Sequence, residues 1–371
     1  MRIAVGILKG ILICIYGVLK LLPTKTNKVL FLSRQSDVPS LDFTLLQEEL
    51  TSALPLVEIK TICSRYADRR ELPAYTLASF RSLYHLATSK VCVLDTYWPV
   101  VSLLRHKNEL TIIQMWHALG MIKKTGYQAL GSGYGRKTKT AQHMNMHRGY
   151  DYVIAGGPVW NTFYCESFNT TEDHLVNIGL PRIDYLLKTQ ESNKVRFFDT
   201  YPQVKNKAVI LYAPTFRKSF DSLPYVEDLI KAIDFSCYAL IIKAHPNQQI
   251  SINNPLILEC KDFEAIELLA VCDCVITDYS AIALEAAVLN KKTYYYLYDY
   301  ESYLSNNGLN IDLPAVMEGC IFQDSASLSK SITNDEYPFE KLSRYKAMYL
   351  QESLGSSTKK LTSLISDNLN D

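Results

Sequence analysis

The stretch richest in chemical possibility is Gln114-Met-Trp-His-Ala-Leu-Gly-Met-Ile-Lys-Lys-Thr-Gly126. Its His117 follows an apolar run, and an imidazole with an ordinary pKa of about 6.5 can take a proton from a hydroxyl at neutral pH. Gly120 and Gly126 let the backbone approach a ligand closely. Between Leu110 and Tyr150 there is no Asp or Glu, while Lys123, Lys124, Arg136, Lys137, Lys139 and Arg148 all fall there. In a chain of net charge +1 this is a local positive field suited to a phosphate-rich or anionic-lipid partner, with a plain solvated basic face as the alternative.

Three further motifs end apolar runs in polar groups. Tyr212-Ala-Pro-Thr-Phe-Arg217 closes on a guanidinium able to pair with phosphate. Ile241-Ile-Lys-Ala-His-Pro246 closes on Lys243 and His245. Residues 275–289 read as strand, polar turn and helix, so that Ser280 and the first helix amides form an anion site. Asp278 is awkward beside phosphate and is expected to bond backbone or a ligand hydroxyl. Helix capping alone also accounts for Asp278 or Ser280.

The elements that must position these groups are short apolar runs alternating with helical stretches. The runs are 29–33, 91–95, 110–115 and 152–155 in the first half, and 209–212, 239–243, 274–277 and 293–297 in the second. Runs of four to six residues without strict alternation suit parallel strands buried on both faces. The expectation is an α/β protein of two Rossmann-like domains facing a central cleft. The first spans 28–185, residues 186–207 form a polar connection, the second spans 208–335, and 338–371 is a helical tail. No GxGxxG, Walker loop, HExxH or GxSxG occurs, which argues against hydride transfer, P-loop chemistry, zincins and ordinary serine hydrolases. No acidic cluster announces a metal, and no nucleic-acid module accompanies the basic stretch, so no nucleic-acid partner is expected. The nine cysteines lack zinc spacing and mostly sit in apolar runs, as buried thiols of a reducing compartment do.

Residues 1–24 form one more element. On a helix, Arg2, Lys9, Tyr16 and Lys20 fall on one narrow stripe, and nearly everything else is apolar. This predicts a membrane-associating helix lying in the interface, its lysines reaching for head groups. A spanning helix and a helix packed on the protein's own core are the alternatives. The folded part is expected at the cell membrane, peripheral, on the cytoplasmic side.

Taken in order, these blocks resemble the CDP-glycerol glycerophosphotransferase family, which includes teichoic acid primases, polymerases and ribitol-phosphate transferases of bacterial cell walls. The resemblance spans roughly residues 28–310. It rests on Trp116-His117 with Gly120-x-x-Lys123, Gly179-Leu-Pro-Arg-Ile-Asp184, Ala213-Pro-Thr-Phe-Arg217, Lys243-Ala-His-Pro246, Ile276-Thr-Asp-Tyr-Ser280 and Tyr298-Asp-Tyr-Glu-Ser-Tyr303. It implies a GT-B-like fold with an acceptor-side domain, a nucleotide-binding domain and the active site between them. It implies His117 as the base near the acceptor hydroxyl and His245 at the donor pyrophosphate. Arg182, Pro214, Thr215, Lys243, Asp278 and Ser280 then lie in or near the donor site, and Arg217, Thr277 and Glu285 are placed with them. The chain departs from the common pattern at Ala118-Leu119-Gly120, at Ala281 and at Glu285. These departures bear on which alditol is carried more than on the reaction.

The implied reaction moves glycerol phosphate from CDP-glycerol to a hydroxyl of a lipid-linked saccharide or a growing polyol-phosphate chain on the inner leaflet, releasing CMP. A CDP-ribitol donor is the alternative, as is a GT-B glycosyltransferase using a UDP-sugar. A non-catalytic membrane-surface protein is a third class. Lys123, Lys124, Arg136, Lys137 and Lys139 are expected at the acceptor or lipid surface. No cofactor is required, and bound Mg²⁺ is compatible with the site.

Overall fold

Two all-parallel six-stranded sheets carry the chain. The computed structural model describes residues 2–371 except 67, 134, 216, 218–221, 245–253 and 351–353. The strands are β1 (Lys25–Ser33), β2 (Glu58–Cys63), β3 (Ser89–Leu94), β4 (Thr111–Gln114), β5 (Tyr152–Ala155), β6 (Leu175–Asn177), β7 (Ala208–Tyr212), β8 (Tyr238–Ile242), β9 (Ile257–Leu258), β10 (Cys274–Thr277), β11 (Lys292–Tyr296) and β12 (Ile321–Phe322). The first sheet has the order β2-β1-β3-β4-β5-β6 and the second β12-β11-β10-β7-β8-β9. The strand order therefore reverses between β1 and β3 in one sheet and between β7 and β10 in the other. At such points the loops leave in opposite directions and open a crevice beyond the carboxyl ends of the strands.

The eight apolar runs are the four inner strands of each sheet. Val29, Leu30, Phe31 and Leu32 of β1 are all fully buried, which requires cover on both faces. One face carries Val29, Phe31, Val91, Val93 and Ile113. It is covered by Phe43, Leu46 and Leu50 of the helix Leu41–Ala53 and by Leu361 and Ile365 of the helix Ser357–Asn370. The other face, with Leu30, Leu32, Cys92 and Leu94, packs against Leu83 and Leu86 of the helix Leu72–Thr88. The four strands not foreseen, β2, β6, β9 and β12, are the sheet edges.

Two expectations change. The segment 186–207 is not a bare connection: it completes the helix Pro181–Lys188 and holds the helix Gln190–Thr200. Its polar composition hid one apolar anchor, Phe197, which is fully buried and meets Phe263 edge-on at 5.6 Å, while Arg196 pairs with Glu267 at 2.9 Å. The N-terminal helix Arg2–Leu19 also sits differently. The side bearing Tyr16 turns inward, not towards head groups, because the buried hydroxyl finds His106 Nδ1 at 2.7 Å. Leu12 is buried beside it, and Lys20 donates to the Arg105 carbonyl at 3.2 Å. Ile11, Ile15 and Val18 face outward, Val18 at 67% exposure. No helix among the described residues is long and apolar enough to cross a membrane.

Candidate active site

A cleft of about 380 Å³ lies between the two halves. Trp116, His117, Lys123 and Arg182 line it from the first half, and Pro214, Thr215, Lys243, Ser280 and Glu285 from the second. His245 lies outside the described residues.

His117 is aimed by a constrained backbone. β4 ends at Gln114, whose buried side chain donates to the Thr96 carbonyl at 3.2 Å and accepts the Trp116 N–H at 3.0 Å. Trp116 takes φ of 62°, a region that bulky residues rarely enter without compensation. Its ring packs edge-on against Phe168 at 5.1 Å and lies 4.0 Å from the His117 ring. His117 Nδ1 is 2.9 Å from the Asp95 carbonyl at the end of β3. A carbonyl only accepts, so Nδ1 carries the proton and the lone pair resides on Nε2.

Glycines set the spacing of the loop that follows. A Cβ on Gly120 would stand 2.5 Å from the Trp160 ring and 2.7 Å from Leu284 of the second half. Gly126, at φ of 54°, passes so near the Ser167 carbonyl that a Cβ would stand 2.1 Å from it.

The second half builds its wall where β7 and β10 end side by side. The Asp278 carboxylate accepts the Thr215 N–H at 3.0 Å and the Tyr279 N–H at 2.6 Å. It also pairs with Arg217 Nη1 at 2.8 Å. Arg217 grips Asp299 at 2.7 and 3.0 Å and donates to the Thr215 carbonyl at 2.6 Å. The rings of Tyr279, Tyr298 and Tyr303 surround its guanidinium at 5.4, 5.5 and 5.2 Å. Arg217 therefore does not line the cleft as a phosphate ligand; it is buried beneath the wall and fixes the Pro214-Thr215 turn. Asp278 is likewise below the wall, bonding backbone. Thr277 is fully buried and donates to the Ala213 carbonyl at 2.8 Å. Thr215, Lys243 and Ser280 do face the cleft. The Thr215 hydroxyl is buried with no hydrogen-bond partner among the described residues, which marks it for a ligand. Lys243 Nζ donates to the Cys260 carbonyl at 2.6 Å, and an ammonium has two further protons to give.

Arg182 bridges the halves. It meets Asp42 through Nε at 2.7 Å and through Nη2, and Glu285 through Nη1 at 3.3 Å. Burial pushes the Glu285 carboxyl up, and Arg182 pulls it back. Arg182 and Glu285 thus line the cleft as a mutually paired strut.

The basic stretch divides three ways, contrary to the single acceptor surface expected. Lys123 enters the main cleft, where burial lowers its pKa. Lys124 and Arg136 line a second cavity on the other side of His117. Lys137 and Lys139 are exposed outside both. The split of Lys123 from Lys124 follows from pairing with the second half, in which Lys123 bridges Leu309 and the Lys124 N–H donates to the Gly308 carbonyl at 3.1 Å. Sequence reading missed Asp42, Asp95 and Asp299, whose partners are distant in the chain, and Arg34, which does follow β1 as the other cations follow their strands. No group of three His, Cys, Asp or Glu able to hold a metal ion occurs among the described residues. Cys272 and Cys274 are buried free thiols, and burial pushes the Cys272 thiol up to about 12.

The chain is similar to known proteins over most of its length. A family model described as CDP-glycerol:poly(glycerophosphate) glycerophosphotransferase matches residues 14–367. The chain is 30% identical to a teichoic acid ribitol-phosphate primase of Bacillus spizizenii, over 97% of this chain and 96% of that one. It is 29% identical to a teichoic acid glycerol-phosphate primase of Bacillus subtilis, over 77% and 75%. The structure of the H444N variant of the wall teichoic acid polymerase TagF superposes with a TM-score of 0.75 at 18% identity, over 94% of this chain and 90% of that one. This last likeness is one of fold.

Proposed function

This chain belongs to the CDP-glycerol:poly(glycerophosphate) glycerophosphotransferase family, and from that membership we propose how its own residues carry out CDP-alditol phosphotransfer. An acceptor hydroxyl enters beside His117 and gives its proton to Nε2. The oxygen forms a bond to the alditol-bearing phosphorus while the bond from that phosphorus to the CMP oxygen breaks. Charge that collects on the departing CMP phosphate meets Lys123, Lys243, Ser280 and the Thr215 hydroxyl. Fixed donors of this kind contribute roughly 3–4 kcal/mol each to transition-state stability. Arg217, Asp278, Thr277 and the Arg182–Glu285 pair act as positioning residues, holding the Pro214-Thr215 turn and the two walls in register. The two lysines supply positive charge at the leaving group, so no cofactor is required, and bound Mg²⁺ is compatible with the scheme.

The observation that carries this reading is His117 Nδ1 held at 2.9 Å by the Asp95 carbonyl, which presents Nε2 as a base at the cleft shared by both halves. For the alditol, ribitol is the second reading beside glycerol, and near-complete coverage of a ribitol-phosphate primase favours it. The acceptor in this proposal is a lipid-linked saccharide or polyol-phosphate chain. The outward apolar face of the N-terminal helix would lie on the cytoplasmic leaflet.

The test is incubation with CDP-glycerol and with CDP-ribitol separately, in the presence of lipid-linked acceptor, reading CMP release and product length. His117→Ala is expected to lower turnover by roughly 10²–10⁴-fold, the usual contribution of general base catalysis, with donor binding little changed. Near-normal turnover in that variant would remove His117 from the role of base.

A further inference from the structure

We propose, resting on the transferase reading above, that the second cavity beside His117 binds a phosphate group of the acceptor, close to the attacking hydroxyl. This cavity measures about 270 Å³ and shares Trp116, His117 and Thr125 with the donor cleft. Its own lining includes Arg34, Tyr97, Lys124 and Arg136, and no carboxylate among the described residues lines it.

Topology puts it where a ligand is expected. Arg34 directly follows β1, and Thr96 and Tyr97 follow β3, so they flank the reversal point of the first sheet. The corresponding point of the second sheet holds Thr215 and Ser280. Two reversal points thus face each other with His117 between them, one for each reactant.

The charge arrangement selects an anion. The Arg34 and Arg136 guanidinium carbons lie 5.8 and 5.1 Å from the centroid of the same Tyr97 ring. Both side chains are half-buried, and neither makes an ion pair among the described residues. Burial, and next the Arg136 charge, loosen the hold of Arg34 on its proton, the direction expected of a half-buried guanidinium with a like charge nearby. The surroundings are already fixed without a ligand. The Tyr97 hydroxyl donates to the Met144 carbonyl at 3.0 Å. The Arg34 N–H reaches Thr96 Oγ1 at 3.1 Å, and the Gly131 N–H closes the loop onto the Arg136 carbonyl at 3.0 Å.

A paired guanidinium site matches phosphate geometry. A hydroxyl placed at the shared lip near His117 carries any phosphate on the same alditol into this pair. The acceptor it fits best is a polyol-phosphate end, in which hydroxyl and phosphate sit a few atoms apart, and not a bare saccharide hydroxyl.

The test compares lipid-linked acceptors with and without a terminal polyol phosphate, using CMP release by the full chain. Arg34→Gln and Arg136→Gln are expected to raise KM for the phosphate-bearing acceptor roughly 10- to 100-fold, the size of a lost charged hydrogen bond. The CDP-alditol dissociation constant and the rate with the unphosphorylated acceptor should hold. Lys137→Gln and Lys139→Gln, outside the cavity, should change KM far less. Calorimetry with glycerol 3-phosphate should show binding to the unmodified chain that Arg34→Gln abolishes. Should Arg34→Gln fail to fold, Arg34→Lys and Arg136→Gln carry the same comparison. Equal losses for both acceptors, a shift confined to donor affinity, or equal competition by phosphatidylglycerol vesicles and glycerol 3-phosphate would overturn the assignment, the last giving the cavity to membrane head groups. Absence of CMP release from any CDP-alditol would instead overturn the transferase reading, while glycerol 3-phosphate binding would still decide the cavity.

Discussion

At the scale of single residues, the carboxylates that matter most do not touch the ligand space. Asp95 holds His117 through its carbonyl, while its buried carboxyl is pushed up to about 7, chiefly by burial. An unfolded Asp ionises at about 3.9. Between these values the folded chain retains a proton that the unfolded chain has released, so the group's contribution to stability falls as pH rises through that window. Asp95→Asn removes the buried charge and leaves the carbonyl in place. The variant should melt above the unmodified chain at pH 8, the gap should close towards pH 4, and turnover should persist. An unchanged gap across that range would show that the carboxyl does not titrate there. Asp278 matters through the contacts that its carboxylate makes. Asp278→Ala strands the Thr215 N–H and removes one of the two acids that pair with the buried Arg217 among the described residues. Breaking such a pair costs about 3–5 kcal/mol, readable as a lower urea midpoint at constant m value.

At the scale of elements, the glycine loop after β4 is a tight joint between the halves. Gly120→Ala drives a methyl group into Trp160 and Leu284, whose positions are fixed by opposite halves. Overpacking of this kind typically costs about 1–3 kcal/mol, and here it should also raise the donor KM by prying the walls apart. A variant with unchanged melting and KM would mean that the loop relaxes freely. The same scale explains what the sequence disclosed. Val29–Leu32 and Val209–Tyr212 belong to inner strands buried on both faces, so they read as apolar runs. The edge strands were silent: β2 carries Lys60 and Thr61 with most positions half-buried, and β9 and β12 are two residues long. His117, Thr215, Lys243 and Ser280 were legible because each follows the end of an inner strand. Arg217 was legible as a cation but not as a buried one, since its burial depends on Asp299, 82 positions away. Lys123 and Lys124 were indistinguishable, because the pairing with Gly308 and Leu309 that separates them leaves no local mark.

At the scale of the whole molecule, the N-terminal helix gives the protein an oriented apolar flank. Ile11, Ile15 and Val18 project on one side while Tyr16 and Leu12 secure the other to the body. If this flank lies on the leaflet as proposed, deleting residues 1–21 should shift the protein from vesicles to the soluble fraction. Retention on vesicles would show that another surface does the binding. The helix Ser357–Asn370 ties the molecule together at the opposite extreme of the sequence, for its Leu361 and Ile365 cover the first sheet's Val29 and Phe31. During synthesis this has a cost in time. The first sheet emerges from the ribosome early, and the helix Leu41–Ala53 covers part of one face at once, yet the part that Leu361 and Ile365 cover stays bare until residue 361 has been made. At about 5–20 residues per second that delay lasts tens of seconds. The nascent chain is therefore a client for chaperones that shield exposed β-structure, and a premature stop codon shortly before Ser357 yields an aggregation-prone fragment even though the groups lining the cleft are already encoded.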